Sequence, residues 1–246
     1  MKVLGVIPAR YQSTRLPGKP LLQIAGKPMI QWVYEAAHTA TLVDEIVVAT
    51  DDQRIFDAVK QFGGAVEMTS ANHPTGTDRL AEVARRHQCD LVINIQGDEP
   101  LIQGEVVDSI VRPLMDNSDL SMSTAKVRLV EQAQIDEPSV VKVVTDENGL
   151  ALYFSRSPIP YPRKKEAARY WKHVGLYGYR RDFLLKYVEL PQSQLELAES
   201  LEQLRVLSYG YRIQVIEVAQ DSVGVDTPDD LERVRAILEN KNYHFN

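Results

Sequence analysis

The sequence predicts an α/β fold: a parallel sheet with helices on both faces, three layers in all, continued by a β-rich region. Three observations predict it. Short, continuously apolar runs alternate with helical periodicity through the first half of the chain, the pattern of strands buried on both faces. The alternation loosens after about Ser121, where strand-like runs follow one another without long helices between them. The 246 residues, 44% apolar and 25% charged, suffice for one large buried core without demanding a second domain.

Val3 to Ile7 reads as the first buried strand. From Met29 the apolar positions Met29, Val33, Ala36, Ala37 and Ala40 recur at helical spacing, with Pro28 suited to the first turn. Glu45 to Thr50 is the next strand, followed by a helix carrying Ile55, Phe56, Val59 and Phe62 that Gly63-Gly64 stops. Ala65 to Met68 is a brief strand; Leu80, Val83, Ala84 and His87 mark a helix, and Leu91 to Ile95 another strand. Ser121 to Leu129, Val140 to Thr145, Leu150 to Phe154 and His173 to Tyr179 read as strands, with an exposed loop from Ser157 to Arg169. Ser193 to Leu207 reads as one helix and Ile213 to Val218 as the last strand. Thr227-Pro228-Asp229-Asp230 then starts a final helix, with Thr227 as N-cap and Pro228 at the first position.

Composition narrows the function. A net charge of −6 gives no electrostatic reason to expect a nucleic-acid or membrane partner. Any anionic ligand must therefore meet a local cluster of cations. Cys89 is the single cysteine, which excludes an internal disulfide and fits a reducing compartment; its apolar surroundings suggest a buried structural thiol. The five histidines have no zinc-like spacing. No apolar run reaches the roughly 20 residues of a membrane helix, and the first strand begins at once, without a signal peptide. A cytoplasmic protein is expected.

The segment Pro8 to Leu21 follows the first strand directly, where open α/β sheets bind ligands. Arg10, Arg15 and Lys19 lie within it among small and hydroxyl-bearing residues, so charge and backbone N–H groups face outward together, as a triphosphate requires. It is not a Walker A loop: Gly18-Lys19 runs into Pro20, and Ser13 stands where the first glycine belongs. Gln96-Gly97-Asp98-Glu99-Pro100 leaves the Leu91–Ile95 strand on the same sheet edge, where a carboxylate can hold magnesium through one oxygen. Asp226 is a second candidate, although alone it reads as an acidic residue beside a helix N-terminus. Thr75-Gly76-Thr77-Asp78-Arg79 precedes a helix whose N-cap is Thr77 or Asp78. Tyr177 and Tyr179 alternate along a strand and, by themselves, indicate packing.

Together, Pro8 to Leu21, Thr75 to Arg79, Asn94 to Pro100, Ala151 to Ser157 and Leu201 to Arg205 resemble, in this order, the 3-deoxy-manno-octulosonate (Kdo) cytidylyltransferases, the CMP-Kdo synthetases of lipopolysaccharide and capsule synthesis. The resemblance covers nearly the whole chain. It implies a Rossmann-like nucleotidyltransferase of the glycosyltransferase-A type, with a mixed sheet and a homodimer. Residues 1–120 would form the nucleotide-binding core, about 121–222 the sugar-binding and dimer region, and 223–246 a closing metal loop and C-terminal helix. Arg10, Arg15 and Lys19 would grip the CTP phosphates. Pro8, Ala9, Thr75, Gly76, Thr77, Arg79, Gln96, Gly97 and Asp98 would complete the CTP site, and Asp98 and Asp226 would hold Mg²⁺. Gln96, Arg156, Arg163, His173, Tyr177 and Glu202 match sugar-site positions. Asp78 departs from members that carry Glu. Ser157 to Arg163 and Ala198 to Glu202 lean toward the capsule-associated branch.

Competing readings remain at this level: a cytidylyltransferase for sialic acid or an 8-amino analogue of Kdo, a glycosyltransferase, or a nucleotide-binding regulator without catalysis. The glycosyltransferase reading lacks its Asp-x-Asp motif, since Asp51 and Asp52 are adjacent.

Overall fold

Alternation of side chains along a strand sends Val3, Ile7 and Ala9 to one face of a sheet and Leu4 and Val6 to the other, and both faces are buried. These residues form β1 (Val3–Ala9). The computed structural model describes residues 1–12, 16–221 and 223–240. A 3-10 turn at Lys19–Leu21 and a small ribbon, β2 (Gln23–Ile24) with β3 (Lys27–Pro28), lead into α1 (Met29–Ala37). Pro28 is the N-cap residue of α1, one place before the first turn expected for it, and Ala40 is buried just beyond the helix.

β4 (Glu45–Thr50), α2 (Gln53–Gln61), β5 (Val66–Met68), α3 (Gly76–Arg86) and β6 (Leu91–Asn94) then alternate as the apolar spacing predicts. Helix α4 (Gly104–Asp116) is an addition to the predicted elements. Its buried Val107, Ile110, Val111 and Leu114 lie at helical spacing, but Pro113 inside the helix obscures the signal. The second half holds β7 (Met122–Leu129), α5 (Gln132–Asp136), β8 (Lys142–Thr145), β9 (Ala151–Ser155), β10 (Tyr170–Arg180), α6 (Arg181–Tyr187), α7 (Gln194–Glu199), α8 (Gln203–Ser208), β11 (Ile213–Glu217) and α9 (Pro228–Leu238).

The expected helix from Ser193 to Leu207 is broken in two. Ser200 adopts the left-handed conformation (φ 51°) between α7 and α8. The cause is a contact with the end of β9: Arg156 Nε donates to the Glu199 carbonyl (2.7 Å), while the Glu199 carboxylate accepts from Ser155 Oγ (2.7 Å) and Arg156 N (2.9 Å). These contacts turn the chain away from the helix axis. α9 begins as its sequence indicates, with a capping box between Thr227 and Asp230 and Pro228 in the first turn.

One nine-stranded sheet runs in the order β11-β7-β10-β6-β1-β4-β5, with β8 and β9 attached through β10. β5, β4, β1 and β6 are parallel, whereas β10 lies antiparallel to both β6 and β7, so the sheet is mixed. Helices α1, α2 and α4 cover one face of it through Val33, Ile55, Val107 and Ile110. Helices α3, α6 and α8 cover the other through Leu80, Val83, Leu184 and Leu204. A third cluster packs α9, through Leu231, Val234 and Leu238, against Ile24 and Met29. That packing returns the C-terminal segment to the neighbourhood of β1.

Candidate active site

β1 has β4 on one side and β6 on the other, so the order reverses between β1 and β6. Chain segments diverge at such a switch point, and a crevice opens beyond the carboxyl ends of the two strands. Pro8 to Arg10 leave β1 there, and Gln96 to Asp98 leave β6. The two loops touch: a Cβ on Gly97 would lie 2.6 Å from the Pro8 carbonyl oxygen, so only glycine permits this approach. A cavity of about 500 Å³ opens between them. It is lined by Pro8, Ala9, Arg10, Gln12, Lys19, Pro20, Pro74, Thr75, Gly76, Gln96, Gly97, Asp98, Glu202 and Asp226.

The charged groups in this cavity come from segments distant in sequence. Lys19 Nζ donates to Asp98 Oδ2 at 2.6 Å and to Asp226 Oδ1 at 3.2 Å. Asp226 is brought there by the α9 cluster and by Val225 N, which donates to the Asp98 carbonyl at 2.9 Å. The lysine differs from its expected open-loop setting: its side chain is only 15% exposed and bridges both carboxylates. Arg10 Nη2 donates to the His73 carbonyl at 2.8 Å, fastening the β1 loop to the segment before α3. Thr75, rather than Thr77 or Asp78, is the N-cap of α3, accepting from Asp78 N at 3.3 Å. This leaves Thr77 free to donate to Glu202 Oε2 at 2.8 Å.

A second cavity of about 250 Å³ adjoins the first, sharing Pro8, Gly76, Gln96 and Glu202, and adds Thr77, Asn94, Tyr177, Tyr179 and Tyr187. Gln96 Nε2 donates to the Gly175 carbonyl at 2.8 Å, and Tyr187 Oη donates to the Glu202 carbonyl at 2.8 Å. Burial pushes the Glu202 carboxyl above the usual carboxylate range, opposed in part by the Thr77 hydrogen bond. Burial likewise drives the phenols of Tyr177 and Tyr179 well above their ordinary value, so both stay neutral donors.

Four of the residues expected at the site lie outside both cavities. Arg79 is fully buried on the sheet-facing side of α3. Its guanidinium reaches the Thr69 hydroxyl and lies 3.2 Å from Asp51 Oδ2. Helical spacing turns it inward with Leu80 and Val83, away from the N-terminal turn that faces the cavity. His173 is buried between Phe154 and the back of Tyr177, with ring centroids 4.9 and 5.3 Å away. Burial lowers its pKa to about 3, which keeps the imidazole neutral. The Thr124 hydroxyl has one hydrogen for two carbonyls, Val174 and Leu176, so it is placed to accept from His173 Nε2 at 3.0 Å. Arg156 spends its guanidinium on the carbonyls of Glu199, Pro138 and Ser200. Arg163 is exposed on the loop after β9. Arg15 lies outside the described residues.

Sequence reasoning missed Asn94, Tyr179 and Tyr187 as cavity residues. Asn94 did carry a signal, being the one polar residue in the apolar run Leu91 to Ile95. Tyr187 carried none, because its spacing from Phe183 is that of a core pair.

Among the described residues, no cluster of three or more Asp, Glu, His or Cys side chains forms a protein-only metal cage. Asp98 and Asp226 nevertheless fit magnesium. Two hard carboxylate oxygens converge on one cationic centre, and an ion that keeps phosphate and water ligands needs only one or two carboxylates from protein.

An α/β sheet with a cationic loop and paired carboxylates at its switch point has the arrangement of an enzyme that handles nucleotide phosphates. The cytidylyltransferase family model matches residues 4–213. The chain is 54% identical to the 3-deoxy-manno-octulosonate cytidylyltransferase of Solibacter usitatus (strain Ellin6076) over 239 residues, 97% of this chain and 95% of the relative. It is also 54% identical to that of Geobacter sulfurreducens over 245 residues, 95% of this chain and 98% of the relative. A solved structure of CMP:2-keto-3-deoxy-manno-octonic acid synthetase complexed with CTP superposes with a TM-score of 0.95 at 52% identity, covering 98% of this chain and 100% of that one. A cytidylyltransferase from Leptospira borgpetersenii shares the fold alone, with a TM-score of 0.63 at 18% identity over 97% of this chain and 87% of that one. The chain belongs to the 3-deoxy-manno-octulosonate cytidylyltransferase family.

Proposed function

We propose that this protein transfers CMP from CTP to the anomeric hydroxyl of 3-deoxy-D-manno-octulosonate, releasing pyrophosphate. The observation that carries the reading is the meeting of Lys19, Asp98 and Asp226 at the mouth of a cavity whose other wall holds Arg10 and the N-terminus of α3. The anomeric oxygen forms a bond to the α-phosphorus, the bond to the bridging oxygen of pyrophosphate breaks, and the hydroxyl proton passes to solvent. Donor and acceptor are both anions, so their approach in a low-dielectric crevice is unfavourable without cations.

Arg10 and Lys19 supply that screening from the protein, with backbone N–H groups of the Ala9–Arg10 and Thr75–Thr77 segments as further phosphate donors. Arg15 is assigned to the same set by family resemblance. Asp98 and Asp226 are assigned to Mg²⁺, which supplies Lewis-acid neutralisation of charge on the transferring phosphoryl group. Pro8, Ala9, Gly76 and Gly97 shape the nucleotide wall. Gln96, Tyr177 and Glu202 orient the sugar, and His173 acts from behind by holding the Tyr177 ring in place. Positioning and electrostatic stabilisation then account for the rate, as in other phosphoryl transfers.

The homodimer suggested by family resemblance is supported by apolar side chains left exposed in the second half, such as Val130 (79%), Leu152 (62%) and Leu197 (60%). A cytoplasmic location belongs to the same reading, supported by the single cysteine Cys89; no described helix is long and apolar enough to cross a membrane. The test is pyrophosphate release with CTP, Mg²⁺ and Kdo, each omitted in turn. Release is expected only with all three, and release without the sugar or without the metal would refute the assignment.

A further inference from the structure

The smaller cavity beside the CTP crevice contains a polar group that the protein leaves unanswered. Asn94 is the last residue of β6, faces Tyr177 across the antiparallel pair, and is 5% exposed. Its Oδ1 has no hydrogen-bond partner among the described residues. Three of the neighbouring polar groups are directed elsewhere: Thr77 to the Glu202 carboxylate, Tyr187 to the Glu202 carbonyl, and Gln96 to the Gly175 carbonyl. A buried amide oxygen without a partner is destabilising, and such groups persist where a ligand or water completes them.

The chemistry of the wall indicates what completes this one. No lysine or arginine lines the smaller cavity, whereas Arg10 and Lys19 line the larger one. In a 2-keto sugar acid, the reacting anomeric hydroxyl and the carboxylate share one carbon. Reaction at the crevice therefore keeps the carboxylate at the cationic mouth and leaves the neutral polyol end for the smaller cavity. A hydroxyl both donates and accepts, so it can pair with an amide in either orientation.

We propose that Asn94 is a specificity-determining residue of the acceptor subsite, its side-chain amide pairing with an alcoholic hydroxyl on the polyol end of the sugar. This rests on the function proposed above and adds the residue that reads the sugar's neutral end. A site built to hydrogen-bond a hydroxyl rejects the analogue lacking it, because the buried partner is then left unpaired.

The test uses the full-length protein and a panel of Kdo analogues, each lacking one hydroxyl of the polyol end. Pyrophosphate release with unmodified Kdo is measured first. No release would sink the function itself and this inference with it. With release established, one analogue is expected to lose about ten- to a hundredfold in kcat/KM on the unaltered protein. Asn94→Leu should lower kcat/KM for Kdo by a similar factor, leave the Kd for CTP within about twofold, and reduce discrimination against that analogue to under about threefold. Asn94→Ala serves as the second variant, with CTP binding reporting that each variant is folded. A panel on which the unaltered protein loses less than about threefold everywhere would overturn the inference alone. So would variants that retain its full discrimination.

Discussion

The two halves of the molecule contain similar cations and use them in opposite ways. At the β1–β6 edge, Arg10 and Lys19 point into a cavity, and the acids facing them, Asp98 and Asp226, are also open to it. In the β-rich half, Lys142, Arg180 and Arg205 are turned onto the protein itself. Lys142 is fully buried and donates to the carbonyls of Glu137, Val140 and Arg156 at 3.0, 2.7 and 2.5 Å. Arg180 Nη2 reaches the carbonyls of Leu114 and Asn117 at 2.6 and 2.8 Å, and Arg205 is paired with the buried Glu196. Burial accordingly lowers the pKa of Lys142, opposed in part by the carboxylates of Glu137, Asp136 and Glu199. Motif-bearing cations therefore divide into those that leave donors for a ligand and those that bind irregular backbone together. Only the environment separates the two kinds.

The contrast can be broken by experiment, most strongly at the crevice. Asp98→Asn removes one charge from the paired carboxylates and should cut turnover by on the order of a hundredfold or more at saturating CTP. Near-normal turnover at ordinary magnesium would mean that the crevice charges are as structural as those of the β-rich half.

His173 gives the next largest effect and reports on the opposite region. Its folded pKa of about 3 lies below the ordinary value near 6.5. The unfolded chain therefore binds the proton first, and the stabilisation is complete above pH 6.5 and is lost as pH falls toward 3. Between pH 6.5 and 5 the unfolding free energy should fall by on the order of 1–2 kcal/mol more in the unaltered protein than in His173→Gln. Denaturant titrations at both pH values measure this difference. Parallel behaviour of the two proteins would place the imidazole in contact with solvent, and so within reach of a ligand.

The smallest effect is expected at Arg163. Exposed and outside both cavities, it should change the KM for sugar and for CTP by less than about threefold when replaced by alanine. A selective rise in the sugar KM would sharpen the comparison differently, by showing that the loop after β9 closes over the crevice during turnover.

The sequence by itself determined the alternation of strands and helices up to β6, the capping of α9, and the placing of Pro8–Lys19 and Gln96–Asp98 at strand ends. Periodicity and capping are local, and a segment that leaves a parallel strand has only one edge of the sheet to occupy. Tertiary structure decided the rest. The meeting of residues 98 and 226 depends on α9 packing against Ile24 and Met29. The break at Ser200 depends on Arg156 and Glu199 from elements 43 residues apart. The placing of His173 depends on its packing against Phe154, and that of the unpaired Asn94 beside Tyr177 on which strand lies next to β6. These are long-range pairings, and a residue's type and neighbours in sequence carry no information about which distant backbone group will claim its side chain.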